Sequence, residues 1–507
     1  MNLGCDYIVI QIIRIVSIPK LLEFIGVKAN SCSSSILGCK LFMVMLSVCS
    51  DSSMGRRDFL RVGGLGIGGL TLADLLRVKA SAAEQGIPVK DKAVVFLFMH
   101  GGPPQTETFD PKMDAPDGIR SAVGEIKTKI PGITFGSTLK GLAGLADKMS
   151  IVRSFTTGNG NHDIKPIVGN TSLGANLGSI YSRVAGPNRT QSGMPTNVAL
   201  FPRAVVPEAQ ERNKSFGKFV STGSIGSSYA PFVPGGSGNL QQDMVLSIPE
   251  PRLNDRRSLL GSVDSLRRRV DDTGKLDGIS GFQEQAFDTI LGGVAGAFDL
   301  SSEDPKTIER YDTAPLVPYS SIRKVWNNHK NYRDHVNSLG KLMLMARRLV
   351  ERGCGFVTVT TNFVWDFHAD KNNATVTEGM HYVGHPFDHA VSAFIEDIHN
   401  RGLQDKVLLV CCGEMGRSPK INKNGGRDHW GKLAPLMLSG GGFNHGQVIG
   451  ESTRDGGEPN SDPVTMNNLL GTVMHSLLDV GEVRLMENIP GKVKSLIADS
   501  EPIKNLS

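Results

Sequence analysis

The sequence is 507 residues long, 39% hydrophobic and 21% charged, too apolar for a disordered chain and too polar for a polytopic membrane protein. Its 59 glycines and 26 prolines follow no Gly-X-Y period, which excludes collagen, and seven unevenly placed cysteines make no disulfide framework. The net charge of +5 gathers near the start: residues 1–53 carry +1 and residues 54–82 carry +3, so the remaining +1 offers nucleic acid no electrostatic footprint.

Residues 1–53 hold four of the cysteines and interrupted apolar runs. The run 41–48 falls far short of the ~20 residues that a membrane span needs. A different kind of sequence begins at Met54. Arg56 and Arg57 precede Phe59 and Leu60, then a mildly apolar stretch over 62–76, then Ala80-Ser81-Ala82. This order predicts a twin-arginine (Tat) export signal over 54–82, cleaved near Ala82, with residues 1–53 an over-called leader. A basic amphipathic helix at a domain start is the competing reading. The expected destination is periplasmic or extracellular, with no transmembrane segment in the mature chain.

Beyond the leader, residues 93–99 form an unbroken apolar run that ends in His100-Gly101-Gly102-Pro103-Pro104. They read as a buried parallel strand followed by a tight loop. Residues 149–155 predict a second strand, with a Gly/Asn-rich loop after it. Residues 186–320 lack clear periodicity at their start and are expected to be a loop-rich insertion. A long helix is predicted over 332–352, closed by Gly353. A β-branched strand follows over 355–361. Val391, Phe394, Ile395 and Ile398 then make the apolar stripe of a helix over 388–401, stopped by Gly402. Strands follow at 406–412 and 434–438. The rhythm predicts one α/β/α sandwich over about 90–490 with a mainly parallel sheet.

In such sheets, ligands bind beyond the carboxyl ends of the strands. Those ends are where this sequence places its histidines and carboxylates: His100, Asn161-His162-Asp163, Asp366-Phe367-His368, Glu414, and Arg427-Asp428-His429-Trp430. Asp366 and His368, two apart on an extended segment, point the same way and can reach one ion. Read alone, that pair also fits a capping Asp beside an exposed His. Glu414, at the end of a buried strand, needs a metal or a partner, and Arg417 is three residues on. His429 is a third ligand candidate, with Asp428 to orient it. Asp and His ligands suit a divalent ion, with zinc ahead of manganese, calcium or magnesium. His381, His385 and His389 have helical spacing, but Gly384 and Pro386 between them argue against one continuous helix.

Several segments together resemble one bacterial family. They are the twin-arginine leader, His100-Gly101-Gly102-Pro103 near Thr108-Phe109-Asp110-Pro111-Lys112, and Ala346-Arg347-Arg348-Leu349-Val350-Glu351-Arg352-Gly353. Trp365-Asp366-Phe367-His368, Gly413-Glu414-Met415-Gly416-Arg417-Ser418-Pro419 and Gly426-Arg427-Asp428-His429-Trp430 complete the set. The resemblance is to the exported family known as domain of unknown function 1501, over about 57–490. That family is regarded as related to the alkaline phosphatase and sulfatase superfamily.

The resemblance implies an alkaline-phosphatase-like fold with one or two divalent ions at the sheet edge. Asp366, His368 and His429 would hold one ion, with Glu414 and His100 near another. Arg417 would hold the anionic group of a small ester. Thr106, Ser154, Thr156 and Thr157 are the candidate nucleophiles. The sequence departs from the superfamily in ending its first strand at His100, where relatives have an aspartate. Glu414 lacks the adjacent histidine of those relatives, and no Cys-x-Pro-x-Arg sulfatase motif is present. Two functions are therefore expected to compete: a metal-dependent hydrolase of phosphate or sulfate esters, and a non-catalytic binding or scaffolding protein on the same fold.

Overall fold

The computed structural model describes residues 88–213, 216–235 and 294–506. The leader, the export signal and the middle of the expected insertion lie outside those residues.

Eleven strands are described: β1 (Ala93–Phe98), β2 (Glu125–Lys127), β3 (Thr134–Gly136), β4 (Met149–Val152), β5 (Asn197–Leu200), β6 (Phe356–Thr360), β7 (Val407–Cys412), β8 (Gly416–Ile421), β9 (Arg427–Trp430), β10 (Leu436–Gly440) and β11 (Gln447–Ile449). Seven build the central sheet in the order β11-β4-β10-β7-β1-β6-β5. β1 pairs in parallel with both β6 and β7, and β5 with β6. β10 alone runs against its neighbours, antiparallel to β4 and to β7. Two reversals leave β4 pointing the same way as β7. So β1, β4, β6 and β7 all deliver their carboxyl ends to one edge. β2 with β3 and β8 with β9 form separate two-stranded ribbons.

Helices cover both faces. The main ones are α1 (Leu177–Ala185), α2 (His329–Glu351), α3 (His385–Asn400) and α4 (Met466–Leu477). Alternation along β1 sorts its side chains between two cores. Val95 and Leu97 pack with Leu342, Met345 and Leu349 of α2 and with Phe394 and Ile398 of α3. Val94, Phe96 and Phe98 pack with Ile180 of α1 and with Leu470, Val473 and Met474 of α4. Cys411 and Cys412 fall in opposite cores for the same reason, which excludes a paired thiolate site. Among the described residues, no helix is long and apolar enough to cross a membrane.

Three details differ from the sequence reading. The strand expected over 434–438 is found as β10 (Leu436–Gly440), and its direction reverses the parallel rhythm. Asn197–Leu200, inside the expected insertion, is the edge strand of the main sheet; four residues are too short a run to signal a strand. The helical path also runs through Pro386. One wide π-turn, Met380–Gly384, sits directly before α3, and Pro386 falls in the first turn of that helix, where its missing N–H costs little.

The Ala346–Gly353 motif is structural. Arg347 is 1% exposed and pairs with Glu303 (2.7 Å), Glu351 (2.9 Å) and Asp397 (3.0 Å), while Arg348 shares Glu303 at 2.7 Å. The network ties the segment before Asp304 to α2 and α3. Gly353 then leaves α2 with φ +97°, a conformation that glycine adopts freely.

His335 on α2 is fully buried, bonded to the Thr361 hydroxyl (2.8 Å) and near the Val383 carbonyl (3.2 Å). Burial pushes its imidazole down to about 4. An unfolded histidine titrates near ~6.5, so the unfolded chain takes up protons first as the pH falls. The resulting stability is complete above that value and is lost towards the folded pKa. Between pH 7 and pH 5 the loss is expected to be ~2 kcal/mol, read from urea midpoints, and His335→Gln is expected to remove it.

Candidate metal centre

The carboxyl edge of the sheet is assembled around two glycines. Gly101 and Gly102 follow β1 with φ +115° and +90°. A Cβ at Gly101 would lie 2.7 Å from the Asp366 nitrogen and 2.8 Å from the Trp365 nitrogen. Only glycine lets the loop after β6 approach so closely, and the Trp365 N–H donates to the His100 carbonyl at 3.0 Å. The His-Gly-Gly segment therefore places Asp366 over the end of β1.

Four side chains meet there. His162 comes from the loop after β4, Asp366 and His368 from the loop after β6, and His429 from β9. One ligand atom from each lies within 4.8 Å of every other. His368 Nε2 is 3.2 Å from Asp366 Oδ1, His429 Nε2 3.5 Å and His162 Nε2 3.7 Å. The rings of His368 and His429 are 4.5 Å apart, and those of His162 and His429 are 4.2 Å apart. Among the described residues this is the one group of three or more such side chains with that convergence.

The far nitrogens of two rings meet carboxylates. Glu414 accepts from His162 Nδ1 at 3.0 Å and from the Gly101 N–H at 2.9 and 3.1 Å. Asp428 lies 3.3 Å from His368 Nδ1. These contacts favour protons on Nδ1 and leave Nε2 lone pairs facing Asp366. His429 Nε2 is buried and makes no hydrogen bond.

Asp366 is the electrostatic hub. Burial alone would raise its pKa, but the Arg417 guanidinium holds the carboxyl well below the usual carboxylate range. Its second oxygen accepts from Asn373 at 2.9 Å. Burial lowers the pKa of His368, which favours the neutral imidazole, the form able to bind a metal.

The β8–β9 ribbon sets Arg417 directly opposite His429, so both reach Asp366 from neighbouring strands. Arg417 is 0% exposed and donates to Gly102 O at 2.9 Å, Arg427 O at 3.2 Å, Gly101 O and Asp366. The loop carrying His162 is fastened on two sides. The Gly431 carbonyl accepts from the N–H groups of Thr157 and Gly158. Lys165, with a side chain 5% exposed, holds Asn159 Oδ1 at 2.8 Å and Asp163.

The structure brings Asp366, His368 and His429 together, with His162 beside them. Other expectations need correction. Arg417 pairs with Asp366, not with Glu414, and its bonds face inward to the backbone rather than out to an anion. Glu414 stands behind His162 instead of among the converging atoms, because the Gly101 N–H and His162 Nδ1 claim its oxygens. Asp428 serves His368 rather than His429. His100 lies outside the group: its Nε2 faces the Phe216 carbonyl at 3.3 Å, and its ring packs on Phe219 and Phe363. The hydroxyls of Thr106 and Ser154 are buried without a hydrogen bond. Ser154 packs against Gly450 and Thr106 against Gly456. The Thr156 hydroxyl donates to the Gly431 carbonyl at 3.3 Å. His162 also converges there but is absent from the candidate ligands read from the sequence; its position after a strand is the available signal.

One family model matches residues 91–506, that of the protein of unknown function DUF1501. No curated protein matches the chain. Among solved structures, the chain is similar to i-CgsB in complex with k-i-k-neocarrahexaose (TM-score 0.31, 8% identity, covering 82% of this chain and 77% of that one). It is also similar to the sulfatase PsFucS1 from Pseudoalteromonas sp. (TM-score 0.30, 11% identity, 85% and 75%). A third is the phosphonate monoester hydrolase of Agrobacterium radiobacter (TM-score 0.26, 11% identity, 82% and 78%).

Proposed function

The chain belongs to the DUF1501 family, and from that premise we propose that it is a metal-dependent hydrolase of phosphate or sulfate esters. The observation that carries this reading is the convergence of His162, Asp366, His368 and His429 within 4.8 Å at the carboxyl edge of the sheet. The donor set fits a divalent ion. His429 Nε2 is buried and makes no hydrogen bond, standing 3.5 Å from Asp366 Oδ1, an arrangement that a bound ion would satisfy. Three imidazoles and one carboxylate rank zinc ahead of manganese, calcium or magnesium.

When bound, the ion supplies Lewis-acid polarisation of an ester oxygen. The protein's own residues do the rest. Glu414 keeps the proton on His162 Nδ1 and fixes that ring. Asp428 does the same for His368. Arg417 braces Asp366 and offsets its buried charge, so it acts through Asp366 and not on the substrate. The substrate class is a small anionic ester. The twin-arginine reading of residues 54–82 supports export to the periplasm or beyond, with the mature domain spanning about 90–490.

A second reading, a non-catalytic binding or scaffolding protein, is favoured by the hydroxyls. Thr106 and Ser154 are buried in packing, and Thr156 is bonded to backbone. Elemental analysis of the purified protein, joined to a panel of phosphate and sulfate esters, separates the two. Bound zinc with turnover supports the hydrolase. Bound zinc without turnover on any ester supports the second reading, and absence of any bound metal rejects the metal centre and the hydrolase with it, leaving the second reading.

Glu414→Gln is expected to lower zinc affinity by about 10- to 100-fold, the usual effect of losing a carboxylate behind a ligating histidine. Competition with a chromogenic chelator measures it.

A further inference from the structure

Beside the four converging side chains stands a pair of phenylalanines that the proposed chemistry does not use. Phe363 lies on the β6 loop, three residues before Asp366. Its φ is +46°, a conformation that a bulky aromatic residue rarely adopts. That conformation sets its ring 4.6 Å from His162 and 5.0 Å from His100. Phe216 stacks on Phe363 with centroids 4.9 Å apart and planes 19° apart, and lies 5.5 Å from His162. It is 42% exposed, one of four large hydrophobic side chains in that state among the described residues. His100 Nε2, 3.3 Å from the Phe216 carbonyl, ties this residue to the end of β1.

Strained backbone and exposed apolar surface both cost stability, and they coincide at the ring of one candidate ligand. The neighbouring core does not need Phe216, because Phe219 already fills the space against Phe98 and Phe201. An exposed aromatic face fixed beside a metal centre fits the flat, apolar part of whatever the ion binds.

We propose that Phe216 and Phe363 form a stacking wall that selects esters whose organic group is a flat ring, with Phe216 as the specificity-determining residue. This inference rests on the metal centre proposed above. The ring of a bound ester would lie on the open face of Phe216 while its anionic group reaches the ion. Offset stacking adds to area burial, and the Phe216 ring can be removed without replacing any of the four converging side chains.

The test titrates zinc-loaded protein with phenylphosphonate and with methylphosphonate by calorimetry, after zinc binding has been measured separately. The wild type is expected to bind the phenyl compound about tenfold more tightly, a ratio set by one good aromatic contact. Phe216→Ala is expected to abolish that preference, read as the ratio of the two affinities at zinc saturation. Phe216→Leu, which keeps apolar area without a ring, should fall between them. Equal affinities in the wild type, a preference that survives Phe216→Ala, or no binding of either phosphonate to the zinc-loaded protein would each overturn the wall. Failure to bind zinc at all would instead remove the centre on which it rests.

Discussion

His162→Ala is expected to weaken zinc binding by more than about 100-fold, beyond the loss seen when only an orienting carboxylate is removed. His429→Ala should do the same. The reason is shared geometry. Both Nε2 atoms face one oxygen of Asp366, at 3.7 and 3.5 Å. Neither residue contributes much to the core, being half-buried, so the fold should survive with its cooperative unfolding intact. The informative control is His381→Ala. His381 is exposed and 5.4 Å from His385, ring to ring, on a helical pair that binds nothing in this reading. Its replacement should leave zinc affinity unchanged. A loss for His429→Ala without one for His162→Ala would return the ligand set to Asp366, His368 and His429 alone.

Arg417→Met is expected to destabilise the protein by about 3–5 kcal/mol, the cost of leaving one member of a buried ion pair unpaired. Arg417 is 0% exposed and Asp366 is 4% exposed. Without the guanidinium, Asp366 keeps a buried charge, and the carbonyls of Gly101, Gly102 and Arg427 lose donors. Denaturant unfolding measures the loss. The double variant Arg417→Met with Asp366→Asn should recover part of it, since the charge is then gone from both sides. A loss under 1 kcal/mol for the single variant would mean that water reaches the pair. Zinc should offset part of the damage, because the ion also compensates Asp366.

The strands were legible because they are fully buried. AVVFLFM and VLLVCC are unbroken apolar runs, FVTVT is β-branched, and all three stop at glycine or polar loops. The long helices announced themselves by period. Strand order and direction were not legible, since β4 pairs with β10 and β11, about 290 residues away, and nothing local encodes which neighbour it meets.

The site was half legible for related reasons. Asp366 and His368 share a segment, and His429 lies in a segment of strong character. His162 lies in a Gly/Asn loop whose shape depends on the Gly431 carbonyl and Lys165, both fixed only by tertiary structure. The pairing of Glu414 and Arg417 looked natural at three residues apart. The chain turns sharply between them, so Glu414 faces His162 while Arg417, already in the β8–β9 ribbon, faces Asp366. The aromatic wall left no trace either, because Phe216 and Phe363 are distant in sequence and stack through a positive φ that no residue type declares.

Zinc K-edge X-ray absorption on the zinc-loaded protein reaches the metal directly. A centre built from His162, Asp366, His368 and His429 gives nitrogen and oxygen neighbours at roughly 2.0–2.2 Å with the outer-shell scattering of three imidazoles, reduced to two in His162→Ala. A six-oxygen shell without imidazole scattering, or zinc that washes away on desalting, would show that these four residues do not hold the ion.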